Sequence, residues 1–258
     1  MPTVATYRSN VEPMRRVSKT ALLTGATSDI GAAIAKHLAR AGFNLLLSGR
    51  RIERLEGILH GPESSGRCVL IRADIGSLDG VETLARSARD QLNAWGATLS
   101  ALIHVAGVWH DDHHAFVGQD FLRTDIAEIE KVLNATLLGA VYLTRQVLDL
   151  MPCGQDGKII GISGTFPGGG AGWLHYFVAK QALELFLTGL AAELEKDRIQ
   201  VNCVSPSYVA TEPLKQFLPN HARTALVPEE VAEVVDFLIS PAARNITGQV
   251  IVVKSSRA

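Results

Sequence analysis

The sequence predicts an α/β fold: a doubly wound parallel sheet of about seven strands with helices on both faces. Three observations carry this. Short apolar runs alternate with longer segments of 3.6-residue periodicity along almost the whole chain. The short runs are continuously apolar, without the in–out alternation of a half-exposed sheet, so both sheet faces are covered. A chain of 258 residues that is 47% hydrophobic and 20% charged can bury a large core as one domain without disulfides. Regular strand–helix alternation with right-handed crossovers then gives the doubly wound order.

The elements follow in order. Thr20–Thr24 is a buried strand ended by Gly25, and Ile30–Ala41 has helical spacing at Ile30, Ile34, Leu38 and Ala41. Asn44–Ser48 is a strand, Ile52–Leu59 a helix, Arg67–Arg72 a strand and Leu78–Leu92 a helix. Ser100–Val105 is the fourth strand, and Ile126–Leu150 is a long helix with no internal proline. Lys158–Ser163 is a strand, Leu174–Lys196 a helix and Ile199–Val204 a strand. Pro228–Ile239 opens with proline and two glutamates, a good helix start, and Val250–Val253 closes the sheet. Gly168–Gly172 is a loop before a helix, not a domain boundary. Residues 1–16 are polar and aperiodic and read as a flexible extension, with Met14 as an alternative start, before one domain over 17–258.

Composition excludes several function classes. With 25 Lys+Arg against 26 Asp+Glu, the net charge of −1 offers no bulk attraction for nucleic acid or anionic membrane. No run reaches the roughly 18 apolar residues of a membrane span. Cys68, Cys153 and Cys203 are odd in number and widely spaced, so they read as free thiols of a reducing compartment. Without a secretory h-region, the expected location is the cytoplasm.

Two patterns carry chemistry. The first strand runs through Thr24-Gly25-Ala26-Thr27-Ser28-Asp29-Ile30-Gly31 into a helix, whose N-terminal amides and dipole suit a pyrophosphate. Asp29 stands where a dinucleotide turn usually has its middle glycine. It either caps the helix or sets a carboxylate beside the diphosphate, and Ser28 is the other capping candidate. Further on, Tyr176 and Lys180 are four apart and share a helix face. A neighbouring ammonium would lower the phenol pKa and fit Tyr176 for proton transfer to a carbonyl oxygen. Ser163, thirteen residues upstream at a strand end, could hydrogen-bond the same oxygen.

Together these residues resemble the short-chain dehydrogenase/reductase family, in its 3-oxoacyl-ACP reductase-like branch, over nearly all of the chain after about Lys19. The glycine turn, Asp74-Ile75, Ala106-Gly107, Asn134, Ser163, Tyr176 and Lys180 come in the family's order. Val201-Asn202-Cys203-Val204-Ser205-Pro206, Thr211 and Ile246-Thr247-Gly248-Gln249 follow. The resemblance implies a Rossmann fold and an oxidoreductase moving a hydride between a nicotinamide and a ketone or secondary alcohol. By resemblance Tyr176 is the general acid/base and Lys180 binds the nicotinamide ribose. Ser163 orients the carbonyl, and Asn134 holds a water in a proton relay. Gly25, Thr27, Ser28, Asp29, Ile30, Arg50, Asp74, Ile75, Ala106, Gly107, Pro206, Val209 and Thr211 join Tyr176 and Lys180 in holding the cofactor. The family's dimer-forming helices correspond to Ile126–Leu150 and Leu174–Lys196, implying a homodimer or homotetramer.

Departures qualify the match. The usual Asn-Asn-Ala-Gly reads His104-Val105-Ala106-Gly107, and His104 is either a cofactor contact or a buried core histidine. Alignment on the strand Ile160-Gly161-Ile162-Ser163 puts the family serine at Gly164, whereas spacing to Tyr176 favours Ser163; Thr165 is the alternative hydroxyl. Ser207 replaces a common glycine, and Lys254-Ser255-Ser256 departs from the usual tail, which bears on tetramer contacts.

The second strand ends Ser48-Gly49-Arg50-Arg51, with no acid for a ribose 2′-hydroxyl. The arginines suit a 2′-phosphate, predicting NADP(H) over NAD(H), or else they open a solvated helix. Trp109-His110-Asp111-Asp112-His113-His114 resembles a metal cluster, but adjacent residues cannot all converge on one ion, so no metal is expected. That segment reads instead as a loop beside the substrate mouth. Glu212 to Leu226, with Leu214, Lys215, Phe217, Leu218 and His221, reads as a mixed pocket cover. The expected partner is a small carbonyl or alcohol, an acyl thioester being one option. The rival reading is a catalytically silent nucleotide-binding or regulatory protein.

Overall fold

The computed structural model describes residues 19–55, 66–118, 120–154 and 157–257. The expected extension over residues 1–16 lies outside the described residues. Seven parallel strands form one sheet: β1 (Thr20–Thr24), β2 (Asn44–Gly49), β3 (Cys68–Arg72), β4 (Ala101–His104), β5 (Lys158–Ile162), β6 (Gln200–Pro206) and β7 (Val250–Val253). Their spatial order is β3-β2-β1-β4-β5-β6-β7. Leu22 pairs with Leu46 on one side and Leu102 on the other.

The continuous apolar runs are explained by two separate cores. Ala21, Leu23, Leu45, Leu47, Ile103 and Ile160 face Ile34 and Leu38 of α1 (Asp29–Arg40) and Val231 and Val235 of the helix Pro228–Ile239. Leu22, Leu46, Leu102 and Ile159 face the other way. They meet Leu84 and Ala88 of α2 (Leu78–Trp95), Leu143, and Leu183 and Leu187 of the helix Leu174–Glu193. Alternate residues of one strand thus enter different cores, and both sets are mainly apolar. Truncating a fully buried leucine such as Leu22 to alanine is expected to cost about 2–5 kcal/mol.

Two expected helices differ. Ile52–Leu55 is a 3-10 turn, and residues 56–59 lie outside the described residues. The long helix expected over Ile126–Leu150 is interrupted. It comprises α3 (Ile126–Leu133), a π-helical turn at Asn134–Leu138, α4 (Gly139–Val147) and a final 3-10 turn at Leu148–Leu150. A π turn widens the ladder to i→i+5, here Gly139 N donating to the Asn134 carbonyl. Periodicity does not reveal one inserted position when the flanking turns stay helical.

The remaining helices are α5 (Leu174–Glu193), α6 (Glu212–Phe217), α7 (Pro219–Ala222) and α8 (Pro228–Ile239). The chain leaves β1 toward β2 on one side, and β4 takes up the other. That reversal opens a crevice at the carboxyl ends of β1 and β4, where doubly wound sheets bind ligands.

Candidate active site

A cavity of about 840 Å³ occupies this crevice, within the range of small-molecule sites. Its walls come from the segments following β1, β2, β3, β4, β5 and β6.

The β1–α1 turn approaches the segment after β4 closely. Gly25 has φ +65°, and a Cβ on it would lie 2.6 Å from Ala106 N, so only glycine fits. Ser28 is the N-cap of α1: its Oγ accepts from Gly31 N at 3.1 Å and donates to the Gly25 carbonyl at 2.8 Å. Asp29 is therefore not the cap. Its carboxylate accepts from Glu212 N at 2.7 Å and holds the start of α6 against the turn. The first-turn amides of Asp29 and Ile30 have no intrahelical acceptors, so the turn keeps donors for a phosphate.

Gly49 ends β2, and Thr27 covers it: a Cβ at Gly49 would lie 2.6 Å from Thr27 Cγ2. An acidic side chain has no room there without Thr27 moving. Arg50 and Arg51 line the cavity beside it, and Arg51 also pairs with Asp112 at 3.2 Å across exposed surface. Asp74 and Ile75, after β3, line the same end; Asp74 Oδ1 accepts from Gly76 N at 3.0 Å. Ala106, Gly107, Pro206, Val209 and Thr211 complete this wall, with Thr211 capping α6 through Leu214 N. The expected cofactor residues therefore share one cavity, and their glycine turn, phosphate donors and cationic end fit a dinucleotide.

Tyr176 and Lys180 lie on α5 and line the cavity where β5 ends. Lys180 is 2% exposed. Its Nζ donates to the Ile162 carbonyl at 2.6 Å and lies 5.6 Å from the Tyr176 ring centre. Burial lowers the Lys180 pKa to about 8, against smaller opposing effects from Cys203 and Glu184. The expected depression of the Tyr176 phenol is not seen. Burial pushes it up instead, because the phenolate loses more by leaving water than the phenol does.

The hydroxyls near this pair have partners. Ser163, 4% exposed, donates to Glu184 of α5, and Thr165 Oγ1 donates to the Ser205 carbonyl at 2.8 Å. Gly164 lies between them, with the Phe166 ring as the nearest neighbour to an added Cβ, at 3.5 Å. Asn134 opens the π turn and commits its carbonyl to Gly139 N; its neighbour Ala135 lines the cavity.

His104 is a core residue, 1% exposed. Thr144 Oγ1 donates to the Ala140 carbonyl, so it accepts from His104 Nε2 at 2.8 Å, and burial lowers the histidine pKa to about 4. The segment after Trp109 is a turn built on Asp111, whose Oδ1 accepts from His113 N and His114 N. Among the described residues no group of three His, Cys, Asp or Glu side chains is arranged to hold a metal.

A family model described as enoyl-(acyl carrier protein) reductase matches residues 25–255. An uncharacterised oxidoreductase of Bacillus subtilis is 30% identical over 251 residues, covering 91% of this chain and 97% of that protein. The 3-oxoacyl-[acyl-carrier-protein] reductase of Aquifex aeolicus is 30% identical over 243 residues, covering 90% and 94%. The chain belongs to the short-chain dehydrogenase/reductase family. The crystal structure of an angucycline C-6 ketoreductase with bound NADP superposes with a TM-score of 0.82 at 26% identity, covering 92% of this chain and 95% of that one. This short-chain dehydrogenase/reductase is thus an NAD(P)-dependent oxidoreductase related to the 3-oxoacyl-ACP reductases.

Sequence reading did not single out Phe166, Tyr208 or Glu184 in this oxidoreductase. Phe166 and Tyr208 each follow the carboxyl end of a strand, which is the available signal for a site residue. Glu184 is one helical turn beyond Lys180, and nothing in the local pattern signals that it meets Ser163. No described helix is long and apolar enough to cross a membrane.

Proposed function

We propose that the protein is an NADP(H)-dependent reductase of ketones, or dehydrogenase of secondary alcohols, with Tyr176 as general acid/base. The observation that carries this is the Tyr176–Lys180 pair in the strand-end cavity, with the ammonium anchored on Ile162. The nicotinamide, when bound, supplies or accepts the hydride. Tyr176 Oη gives its proton to the carbonyl oxygen as the alcohol forms. Its raised pKa keeps that proton in place at neutral pH, which suits the reductive direction. Lys180, charged below about pH 8, stabilises the phenolate that remains and reaches the ribose. Asn134 supports a water relay back to Lys180. Ser163 orients the substrate oxygen after its hydroxyl exchanges Glu184 for it.

The phosphate turn holds the diphosphate, while Asp74 and Ile75 hold the adenine. Arg50 and the Thr27-covered Gly49 favour a 2′-phosphate over a free ribose hydroxyl. The bound NADP of the angucycline ketoreductase is consistent with that preference. The partner is a small carbonyl or alcohol. Exposed Tyr142, Val178 and Leu185 on α4 and α5 support a homodimer or homotetramer through these helices. Free cysteines are consistent with a cytoplasmic site of action.

A panel of ketones and secondary alcohols tests this with NADPH oxidation, or NADP reduction, as readout. Turnover that is faster with NADPH than with NADH supports the proposal. NADPH affinity without turnover of any member would favour the silent nucleotide-binding reading.

A further inference from the structure

We infer that the substrate is a neutral, planar ketone fused to or carrying an aromatic ring, and not a flexible aliphatic acyl thioester. This deepens the reductase reading and rests on it. The cavity has two chemically different ends. Apart from Lys180, its charged lining residues belong to the phosphate turn, the segments after β2 and β3, and the start of α6. The end around Tyr176 is built from rings.

Those rings come from separate segments. Trp109 follows β4, Phe166 follows β5, Trp173 and Tyr176 lie at the start of α5, and Tyr208 follows β6; all line the cavity. Trp173 is central, with its ring centre 6.0 Å from Tyr176, 5.9 Å from Trp109 and 6.5 Å from Tyr208. Phe166 closes on Tyr176 from the other side at 6.0 Å. These spacings lie in the range of edge and offset ring contacts.

Aromatic rings are rigid and present flat, polarisable faces, so they bind a flat π-system with little loss of freedom on either side. A simple apolar pocket would need only aliphatic side chains. A flexible acyl chain would gain little from flat ring faces and would lose its conformational freedom on binding. Tyr208 is 40% exposed yet stacked on His221 at 4.3 Å, so its ring is held at the mouth, where a flat substrate would enter.

The test compares kcat/KM with NADPH for 2-tetralone, cyclohexanone and an acetoacetyl thioester. Preference for 2-tetralone by about tenfold or more, falling by about tenfold in Trp109→Leu/Trp173→Leu, supports the inference. Tyr208→Leu, at an exposed position, serves if the double variant does not fold. A preference for cyclohexanone or the thioester, or an aryl preference that survives both variants, overturns it while leaving the reductase reading standing. Binding of 2-naphthol, measured by calorimetry on the NADP-bound protein, separates the two claims. If 2-naphthol binds and the variants weaken it, the aromatic slot stands even if no ketone is reduced, and only the reductase reading falls. If 2-naphthol does not bind, the inference falls.

Discussion

Lys180 gives the most quantitative prediction. Its ammonium is 2% exposed, donates one 2.6 Å hydrogen bond to Ile162, and has a pKa lowered to about 8 because burial disfavours the charged form. Catalysis needs that charged form beside the phenolate left by proton transfer. A group with a pKa near 8 is about nine-tenths charged at pH 7 and about one-tenth at pH 9. The Tyr176 phenol is shifted upward, so it stays protonated across this window and adds no second limb. Reduction is therefore expected to slow about tenfold between pH 7 and pH 9, with a single inflection near pH 8. Steady-state kcat/KM, which reports the groups of the free enzyme, measures it across that range. Residual activity of Lys180→Arg, whose guanidinium stays charged, should be flat over the same range. A flat profile in the unaltered protein, or the same fall in the arginine variant, would show that Lys180 does not set the pH dependence.

Three further outcomes follow from particular contacts. Gly49→Asp alone should impair binding of both nicotinamide cofactors because Thr27 occupies the space, whereas Thr27→Gly/Gly49→Asp should move preference toward NADH by tenfold or more, read as the ratio of kcat/KM values. Ser163→Ala should lower kcat by about tenfold, the loss of one orienting hydrogen bond, whereas Thr165→Ala, whose hydroxyl is held by the Ser205 carbonyl, should cost less; steady-state assays of both decide which hydroxyl serves the substrate oxygen. Asp29→Ala should release α6 and speed amide exchange at Glu212 about tenfold or more, a loss of at least about 1.5 kcal/mol for one charge-assisted bond, while Asp29→Asn, which keeps an acceptor, should change it less.

The sheet was legible because its physics is local. A strand such as Thr20–Thr24 sends Ala21 and Leu23 into one core and Leu22 into the other, so apolar character cannot lapse along it. The phosphate turn and the Tyr176–Lys180 spacing were legible because turn geometry and helical pitch act over a few residues. What escaped was non-local. Asp29 meets Glu212 across 183 positions, His104 meets Thr144 across 40, and Ser163 turns to Glu184 across 21. The aromatic end assembles from segments after three strands and the start of α5, so the sequence alone does not show that these rings meet. The π turn at Asn134 was hidden for a different reason: one extra residue leaves the helical pattern on either side intact.

The proposed mechanism turns on proton delivery by Tyr176. Tyr176→Phe removes one oxygen and keeps the ring that packs on Phe166 and Trp173. In this variant kcat for ketone reduction should fall about a thousandfold, the middle of the range expected for losing a general acid, while NADPH should bind within about twofold of the unaltered affinity. A Tyr176→Phe protein that keeps more than about a tenth of its turnover would contradict it.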